Sequence, residues 1–438
     1  MKVWKFGGTS VGTAQRIKNL PQLINNGEPK IVVLSAMSGT TNALIKIGEK
    51  LYARETTESE RMIDELEVKY HAVIRELYST ETAKAKATIF VEEQMGLMRA
   101  FTKKRFNLRR EKELLAEGEI LSAHLVQFYL EEIQVASTLL NALDFMVIDD
   151  HDEPDLNYIA EHLKAELAKH PQQQLFLTQG YICLNPDGEV DNLKRGGSDY
   201  TASLVGAAIM AEEVQIWTDI DGMHNNDPRV VDRTQPVAEL TFDEAAELAY
   251  FGAKILHPQS VNPARLKKIP VRLLNTMAPE MSGTVIHEQT SGVGVKAIAA
   301  KDGITAVKIQ SGRMLLAYGF LKRLFEVFEK YKTPIDMVTT SEVGVSVTID
   351  QVSHLDAIVK ELSEFSHVEV DTDQTIVCIV GNLASGSHDY LAQIFAALQG
   401  IPVRMVSYGG SPNNVSILVN TQHKVQVLRA LSKGLFAL

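Results

Sequence analysis

Cysteine is almost missing from this chain: two residues, Cys183 and Cys378, stand among 438. Both lie in apolar runs far apart in sequence, which excludes a disulfide scaffold or a cysteine-rich metal site and fits a reduced compartment. Each reads as buried packing rather than as a thiol nucleophile. Basic charge is scarce too. Against 55 Asp and Glu there are 44 Lys and Arg, a formal net charge of -11. That balance argues against nucleic acid or an anionic membrane as the main partner, since both reward a basic surface. No run approaches the roughly 18 apolar residues of a membrane span, and Met1-Lys2 leads into Val3-Trp4-Lys5-Phe6 without an apolar leader. The expectation is a cytoplasmic protein with no membrane and no nucleic-acid partner. Long Gly, Ser or Pro tracts are absent, and 45% hydrophobic with 23% charged residues suits a chain that folds throughout, in two or three domains at this length.

What is present is an alternation of short apolar strands and longer helical patterns. Candidate strands are Val3 to Phe6, Lys30 to Ser35, Phe145 to Asp149, Leu175 to Cys183, Val214 to Thr218 and Val271 to Asn275. Several are continuous apolar runs, the mark of a largely parallel sheet covered by helices on both faces. Between Asn42 and Phe128 the chain is charge-rich and poor in Gly and Pro, and reads as a helical excursion. After about Gln289 the tail contains two copies of one unit. Leu321-Lys322-Arg323-Leu324-Phe325 returns as Leu391-Ala392-Gln393-Ile394-Phe395, Pro334 to Val338 as Pro402 to Val406, and Val345 to Ile349 as Val415 to Val419, at an offset of about 70 residues. Each copy follows the ferredoxin-like βαββαβ order. The second lacks its last strand, and the apolar segment beginning at Val295 is expected to fill that gap.

Three segments have the composition of anion-holding loops. Lys5-Phe6-Gly7-Gly8-Thr9-Ser10 follows a strand, and two glycines allow backbone N–H groups to approach phosphate oxygens while Lys5 adds a point charge. Alone, it is more often a structural turn. Ser35 to Asn42 occupies the same place after the next strand and alone is a capping sequence. Leu193-Lys194-Arg195-Gly196-Gly197-Ser198-Asp199-Tyr200-Thr201 is more specific: a capped helix accounts for Ser198 and Asp199 but not for Arg195, a bidentate carboxylate fork beside two glycines. Further on, Ile216 to Gly222 holds Thr218 and Asp219 at a strand end, and Asn226-Asp227-Pro228-Arg229 and Phe251-Gly252-Ala253-Lys254 add cations for phosphates. His257 reads as a helix-end packing residue. No His, Cys and Asp cluster has metal-site spacing, so no protein-held metal is expected, and any metal arrives with the nucleotide.

These motifs, with Ala116-Glu117-Gly118-Glu119 and Thr178-Gln179-Gly180, stand in the order of the amino acid kinase superfamily, and the chain resembles its aspartate kinases across nearly its whole length. The resemblance implies an amino acid kinase fold followed by two ferredoxin-like ACT domains: residues 1–290 catalytic, 304–372 the first ACT domain, and 373–438 the second, completed by strand 295–301. It implies transfer from ATP, carried with Mg²⁺, to L-aspartate, the first step toward lysine, threonine and methionine. Lys5, Gly7, Gly8 and Ser10 would face the phosphates, with Asp199 orienting Lys5. Thr41, Glu119, Arg195 and Ser198 would face aspartate, Glu119 its ammonium and Arg195 its α-carboxylate. Thr218, Asp219, His224, Arg229, Lys254 and Ile255 would line the nucleotide; many members have tyrosine where His224 stands.

The tail resembles the effector pocket of lysine-inhibited, single-function members through Met314, Ala317, Phe320, Leu321, Ile335, Asp336, Ser341 and Glu342. Asp336 and Glu342 would hold a cationic side chain and Ser341 the amino acid end, although a small hydroxyl residue is common where Ala317 stands. A plain ferredoxin-like core with solvated carboxylates is the alternative. The resemblance implies lysine as the effector and a homodimer formed through ACT domains. The end at Leu438, just past the second copy, sets the expectation of a single-function enzyme. Rival readings are another acyl phosphate-forming kinase of this fold and a non-catalytic amino acid sensor.

Overall fold

The computed structural model describes residues 1–194, 196–252, 256–289, 292, 294–311, 318–383 and 390–438. The chain forms two compact units, one of Met1–Met223, Ala238–Phe242 and Leu256–Gln289, the other of His224–Val237, Asp243–Ile255 and Thr290–Leu438.

In the first unit the strands are β1 (Lys2–Phe6), β2 (Lys30–Leu34), β3 (Thr138–Leu140), β4 (Leu175–Gln179), β5 (Ile182–Leu184), β6 (Val190–Asn192), β7 (Val214–Thr218), β8 (Glu239–Thr241), β9 (Val271–Asn275) and β10 (Thr284–His287). Eight build one sheet in the order β3-β4-β2-β1-β7-β9-β10-β8, and β5 pairs with β6 as a separate hairpin. From β3 to β9 all neighbours are parallel; β10 turns antiparallel to β9. The central strands are apolar because both faces are covered: every residue of β2 and β4 is buried. Even Lys30 is enclosed, its Nζ donating to the Ile24 carbonyl at 2.9 Å, and burial lowers its pKa.

The charge-rich stretch after Asn42 is four helices, Thr40–Tyr52, Thr56–Leu77, Glu81–Ala100 and Leu108–Glu132. Ile63, Leu66, Tyr70, Ile74 and Leu77 show the spacing that turns one face to the core. Asn107 caps the last helix by accepting from Arg110 N–H. Two strand expectations change. Phe145 to Asp149 is buried at its start but makes only isolated bridges, and the edge strand lies at Thr138–Leu140 instead. Leu175 to Cys183 is broken after Gln179, because Tyr181 adopts a left-handed φ of 68° that no ladder accommodates.

In the second unit the strands are β11 (Gly294–Gln310), β12 (Val338–Thr340), β13 (Gly344–Ile349), β14 (His367–Asn382), β15 (Met405–Tyr408) and β16 (Asn414–Asn420), in the order β12-β13-β11-β14-β16-β15. β11 and β14 are long enough to serve both halves of this one sheet. Thr305–Gln310 pairs with β13 and Ile304–Gln310 with the first half of β14, while Val295–Lys301 pairs with Ile376–Gly381 of its second half, and the ladder shifts register between Lys301 and Ile304. Each half has its own apolar core: Val307, Leu324, Phe328, Val345 and Ile358 in one, Ile298, Ile379, Ile394, Ile417 and Leu428 in the other. Among the described residues no helix is long and apolar enough to cross a membrane.

Candidate active site

The sheet order sets the site. Chain leaving β1 goes to β2 on one side, and β7 later docks on the other, so the carboxyl ends of three parallel strands open beside a switch of direction, where open α/β sheets place ligands. The loops after β1 and β2 are laced together. Gly7 N–H donates to the Trp217 carbonyl at 3.1 Å and Ser38 N–H to the Gly8 carbonyl at 3.2 Å. A Cβ on Gly8 would lie 2.8 Å from the Ala36 carbonyl oxygen, so only glycine permits this approach. Between them opens a cleft of about 600 Å³, walled by Lys5, Gly7, Gly8 and Thr9, by Ser35 to Gly39 with Thr41 and Asn42, and by Glu119, Tyr181, Gly197, Ser198, Thr218 and Asp219.

Its charges are few and arranged. Lys5 Nζ lies 2.7 Å from Asp199 Oδ1, both side chains largely buried. The contact is an ion pair without hydrogen-bond alignment, as that oxygen has no well-directed donor among the described residues. Asp199 is in the first turn of helix Gly197–Ile209, where the positive end of the helix dipole favours a carboxylate. Glu119 reaches in from helix Leu108–Glu132. Its Oε1 accepts from Ala36 N–H at 3.1 Å, and Oε2 is buried without a partner among the described residues. Desolvation pushes its pKa up to about 7, against the opposing pull of the Ala36 N–H and the Lys5 charge. Glu117, two residues earlier on the same helix, is pushed up to about 8 by burial and by Glu113. An enclosed carboxylate with an open oxygen is a receptor for a cationic group; Lys5 and exposed loop N–H groups are receptors for anions.

Of the residues singled out from sequence, Lys5, Gly7, Gly8, Thr41, Glu119, Ser198, Thr218 and Asp219 line this one cleft, and Asp199 joins it through Lys5. Ser10 does not. It is 1% exposed, and its hydroxyl bonds Thr276 Oγ1 at 2.6 Å, while Thr9 takes the place on the wall. His224 and Arg229 belong to the second compact unit, where His224 Nδ1 lies 2.8 Å from Thr234 Oγ1 and Arg229 forks onto the Asp227 carboxylate at 2.8 and 2.9 Å. Arg195, Lys254, Ile255, Met314 and Ala317 lie outside the described residues. His257 accepts from Gln259 N–H as the cap of a short turn of helix. Tyr181 escaped the sequence reading, although it directly follows Thr178-Gln179-Gly180.

Among the other candidates, Phe320 meets Phe365 edge to face at 5.9 Å, Ile335 packs on the same core, and Leu321 is exposed. Ser341 and Glu342 are exposed in the turn between β12 and β13. Asp336 is not a free carboxylate, since Lys301 Nζ stands 2.9 Å from its Oδ1. Among the described residues no group of three or more His, Cys, Asp or Glu side chains is placed to hold a metal.

Comparison with known proteins agrees with this geometry. The amino acid kinase family model matches residues 1–275, and an ACT domain model matches 377–435. The chain belongs to the amino acid kinase family. It is 35% identical to chloroplastic aspartokinase 1 of Arabidopsis thaliana over 99% of this chain and 80% of that protein. The structure of E. coli aspartokinase III with lysine and aspartate, in the T-state, superposes with a TM-score of 0.82 at 32% identity, covering 100% of this chain and 99% of that one. The R-state structure with aspartate and ADP gives 0.80 at 31%, covering 100% of both.

Proposed function

We propose that this family member transfers the γ-phosphoryl group of ATP to the side-chain carboxylate of L-aspartate. The carrying observation is the pairing, in one cleft, of the Lys5–Asp199 ion pair with the open buried oxygen of Glu119. The first fits a phosphate end and the second an ammonium end, the two needs of ATP and an amino acid. Support comes from the aspartokinase III structures, which hold aspartate with ADP or with lysine.

In this reading a carboxylate oxygen of aspartate attacks the γ-phosphorus, the bond from that phosphorus to the β,γ-bridging oxygen breaks, and ADP leaves with the electron pair. No general base is needed, because an aspartate side chain of pKa about 3.9 is already ionised at neutral pH. Catalysis reduces to holding two anions in line and neutralising charge. Lys5, held by Asp199, and the N–H groups after Gly7 serve the phosphates; Glu119, Thr41, Ser198 and Arg195 serve aspartate. Mg²⁺ would enter on the phosphates and offset their charge. Residues 1–290 would be the catalytic region, with 304–372 and 373–438, the latter completed by 295–301, as ACT domains that pair two chains and bind lysine as a feedback effector.

The test is hydroxylamine trapping of the acyl phosphate with ATP and L-aspartate, run beside glutamate, acetylglutamate, carbamate and uridylate. Aspartate hydroxamate alone is expected. Lys5→Ala should lower kcat by about 10² to 10³, the usual loss for one preorganised donor to transferring charge; an unchanged kcat removes the role given to Lys5.

A further inference from the structure

The loop after β2 is tied on two sides. Ser38 N–H donates to the Gly8 carbonyl at 3.2 Å, which joins it to the loop after β1. The Ser38 carbonyl accepts from Lys69 Nζ at 2.7 Å, which joins it to helix Thr56–Leu77. The same ammonium lies 3.4 Å from Thr40 Oγ1, and a Cβ on Gly39 would come 3.8 Å from it. Tyr70, the next residue of that helix and fully buried, meets Thr40 Oγ1 through its own hydroxyl at 3.1 Å. Two consecutive residues of one helix thus grip the turn from Ser38 to Thr40, and Thr41, on the wall of the cleft, follows directly.

That turn has little else to fix it. Gly39 is the N-cap of helix Thr40–Tyr52, with a left-handed φ of 80° and no side-chain capping bond. The backbone bonds that follow are local, Thr40 N–H to the Met37 carbonyl at 3.0 Å and Ala43 N–H to the Gly39 carbonyl at 3.1 Å. Lys69 is partly buried and pairs with no carboxylate among the described residues. The acids nearest along its helix, Glu65 and Glu67, face Arg61 and Arg99 instead. Burial lowers its pKa, the consequence of keeping an ammonium there without an opposite charge. A lysine that only snorkelled along its helix would leave that ammonium in water. This one is drawn onto a carbonyl, in a charge-assisted bond with a narrower geometry than packing alone gives.

We propose that Lys69 is a positioning residue of the cleft: by holding the Ser38 carbonyl it sets the turn that presents Thr41. The inference rests on the proposed reading in which Thr41 faces aspartate. Lys69 is not among the residues that wall the cleft, so it acts through the turn. The phosphate end has its own supports, the Lys5–Asp199 pair and the bond from Gly7 N–H to the Trp217 carbonyl. Loss of the ammonium therefore falls on one substrate.

Lys69→Cys removes the ammonium at a partly exposed site, and Cys183 and Cys378 are both 0% exposed, so the introduced thiol can be alkylated selectively. KM for aspartate is expected to rise about tenfold, the scale of one hydrogen bond from a charged group, while kcat and KM for ATP stay within about threefold. Alkylation with 2-bromoethylamine restores an ammonium at nearly the length of lysine and should return KM to within about twofold of the unaltered protein. Alkylation with 1-iodopropane, equal in length and uncharged, should not. Hydrogen exchange gives a readout without turnover: amides from Ser38 to Ala43 should exchange at least about fivefold faster in Lys69→Cys, while those of β1 and β2 keep their rates. An unchanged exchange rate in that segment, an unchanged KM for aspartate, an equal rise in KM for ATP, or equal recovery by the uncharged adduct would overturn the proposal. Absence of aspartate phosphorylation in the unaltered protein would instead strike the functional reading, and exchange in the turn would still decide the role of Lys69.

Discussion

Glu119 is held in a state that only a ligand relieves. Its pKa near 7 means that in the empty cleft it is about half protonated at neutral pH, yet an ammonium group needs the carboxylate. KM for aspartate should therefore rise as pH falls below about 7, approaching tenfold per unit, while kcat changes little. Stability runs the other way. The folded pKa lies above the ordinary carboxylate value, so this group's contribution is fully present below the unfolded pKa and is lost as pH rises through about 7. Aspartate should consequently raise the melting temperature more at about pH 8 than at about pH 6. Glu119→Gln should flatten the pH dependence and raise KM for aspartate by about 10- to 100-fold; a slope that survives this change belongs to another group, Glu117 foremost. Sequence pointed to Glu119 through the order of its motif, but it misplaced Ser10, because the hydroxyl that claims Ser10 is Thr276, far along the chain. The partners of Asp336 were illegible for the same reason: Lys301 and Tyr250 lie on other elements.

At the scale of elements, the meeting of β4 and helix Gly197–Ile209 is as tight as the structure allows. A Cβ on Gly180 would stand 2.3 Å from Ser198 Oγ and 2.9 Å from its Cα, so the first turn of the helix would have to move. Gly180→Ala is expected to cost about 1 to 3 kcal/mol of stability. It should also lower kcat/KM for aspartate by about 10²-fold, the scale of a displacement near 1 Å at a reacting centre. Thermal melts and steady-state kinetics check both, and unaltered kinetics would show that Ser198 is not positioned by this contact. The apolar run Leu175 to Cys183 gave no sign of that break, since continuous hydrophobicity marks burial and leaves the ladder undecided. Phe145 to Asp149 misled in the same way: it is apolar and mostly buried but almost without strand pairing. Periods and glycine turns were more legible. β1, β2, β7 and β9 fall where the sequence put them, and the tail repeat is visible as two half-sheets sharing β11 and β14. Continuity of those two strands was not legible, because a repeat reveals its copies and not the strand that joins them.

On the scale of the whole molecule, the division into compact units does not follow the chain. Residues 224–237 and 243–252, which carry His224, Arg229 and the start of the Phe251-Gly252 motif, are built into the unit that holds the twin half-sheets. Val231 is 7% exposed in the second half's apolar core, Asn226 Nδ2 donates to the Leu428 carbonyl at 3.1 Å, and Ile298 N–H donates to the Asn225 carbonyl at 2.9 Å. A chain ending at Gln289 keeps every residue assigned to catalysis but removes the body on which these two segments pack. It leaves Glu244 without Lys296 and Tyr250 without Asp336, and so removes the polar contacts near both ends of helix Phe242–Tyr250. Both segments should then be cut early in limited proteolysis, whereas Lys2–Phe6 and its parallel neighbours stay protected, and kcat/KM for ATP should fall by more than about 100-fold. If that shortened chain used ATP as well as the full one, the nucleotide segments would owe nothing to the regulatory sheet. That loss would mean that these segments take their shape from the sheet proposed to bind the effector, so an effector there would act on the groups proposed to meet ATP before it acts on those proposed to meet aspartate.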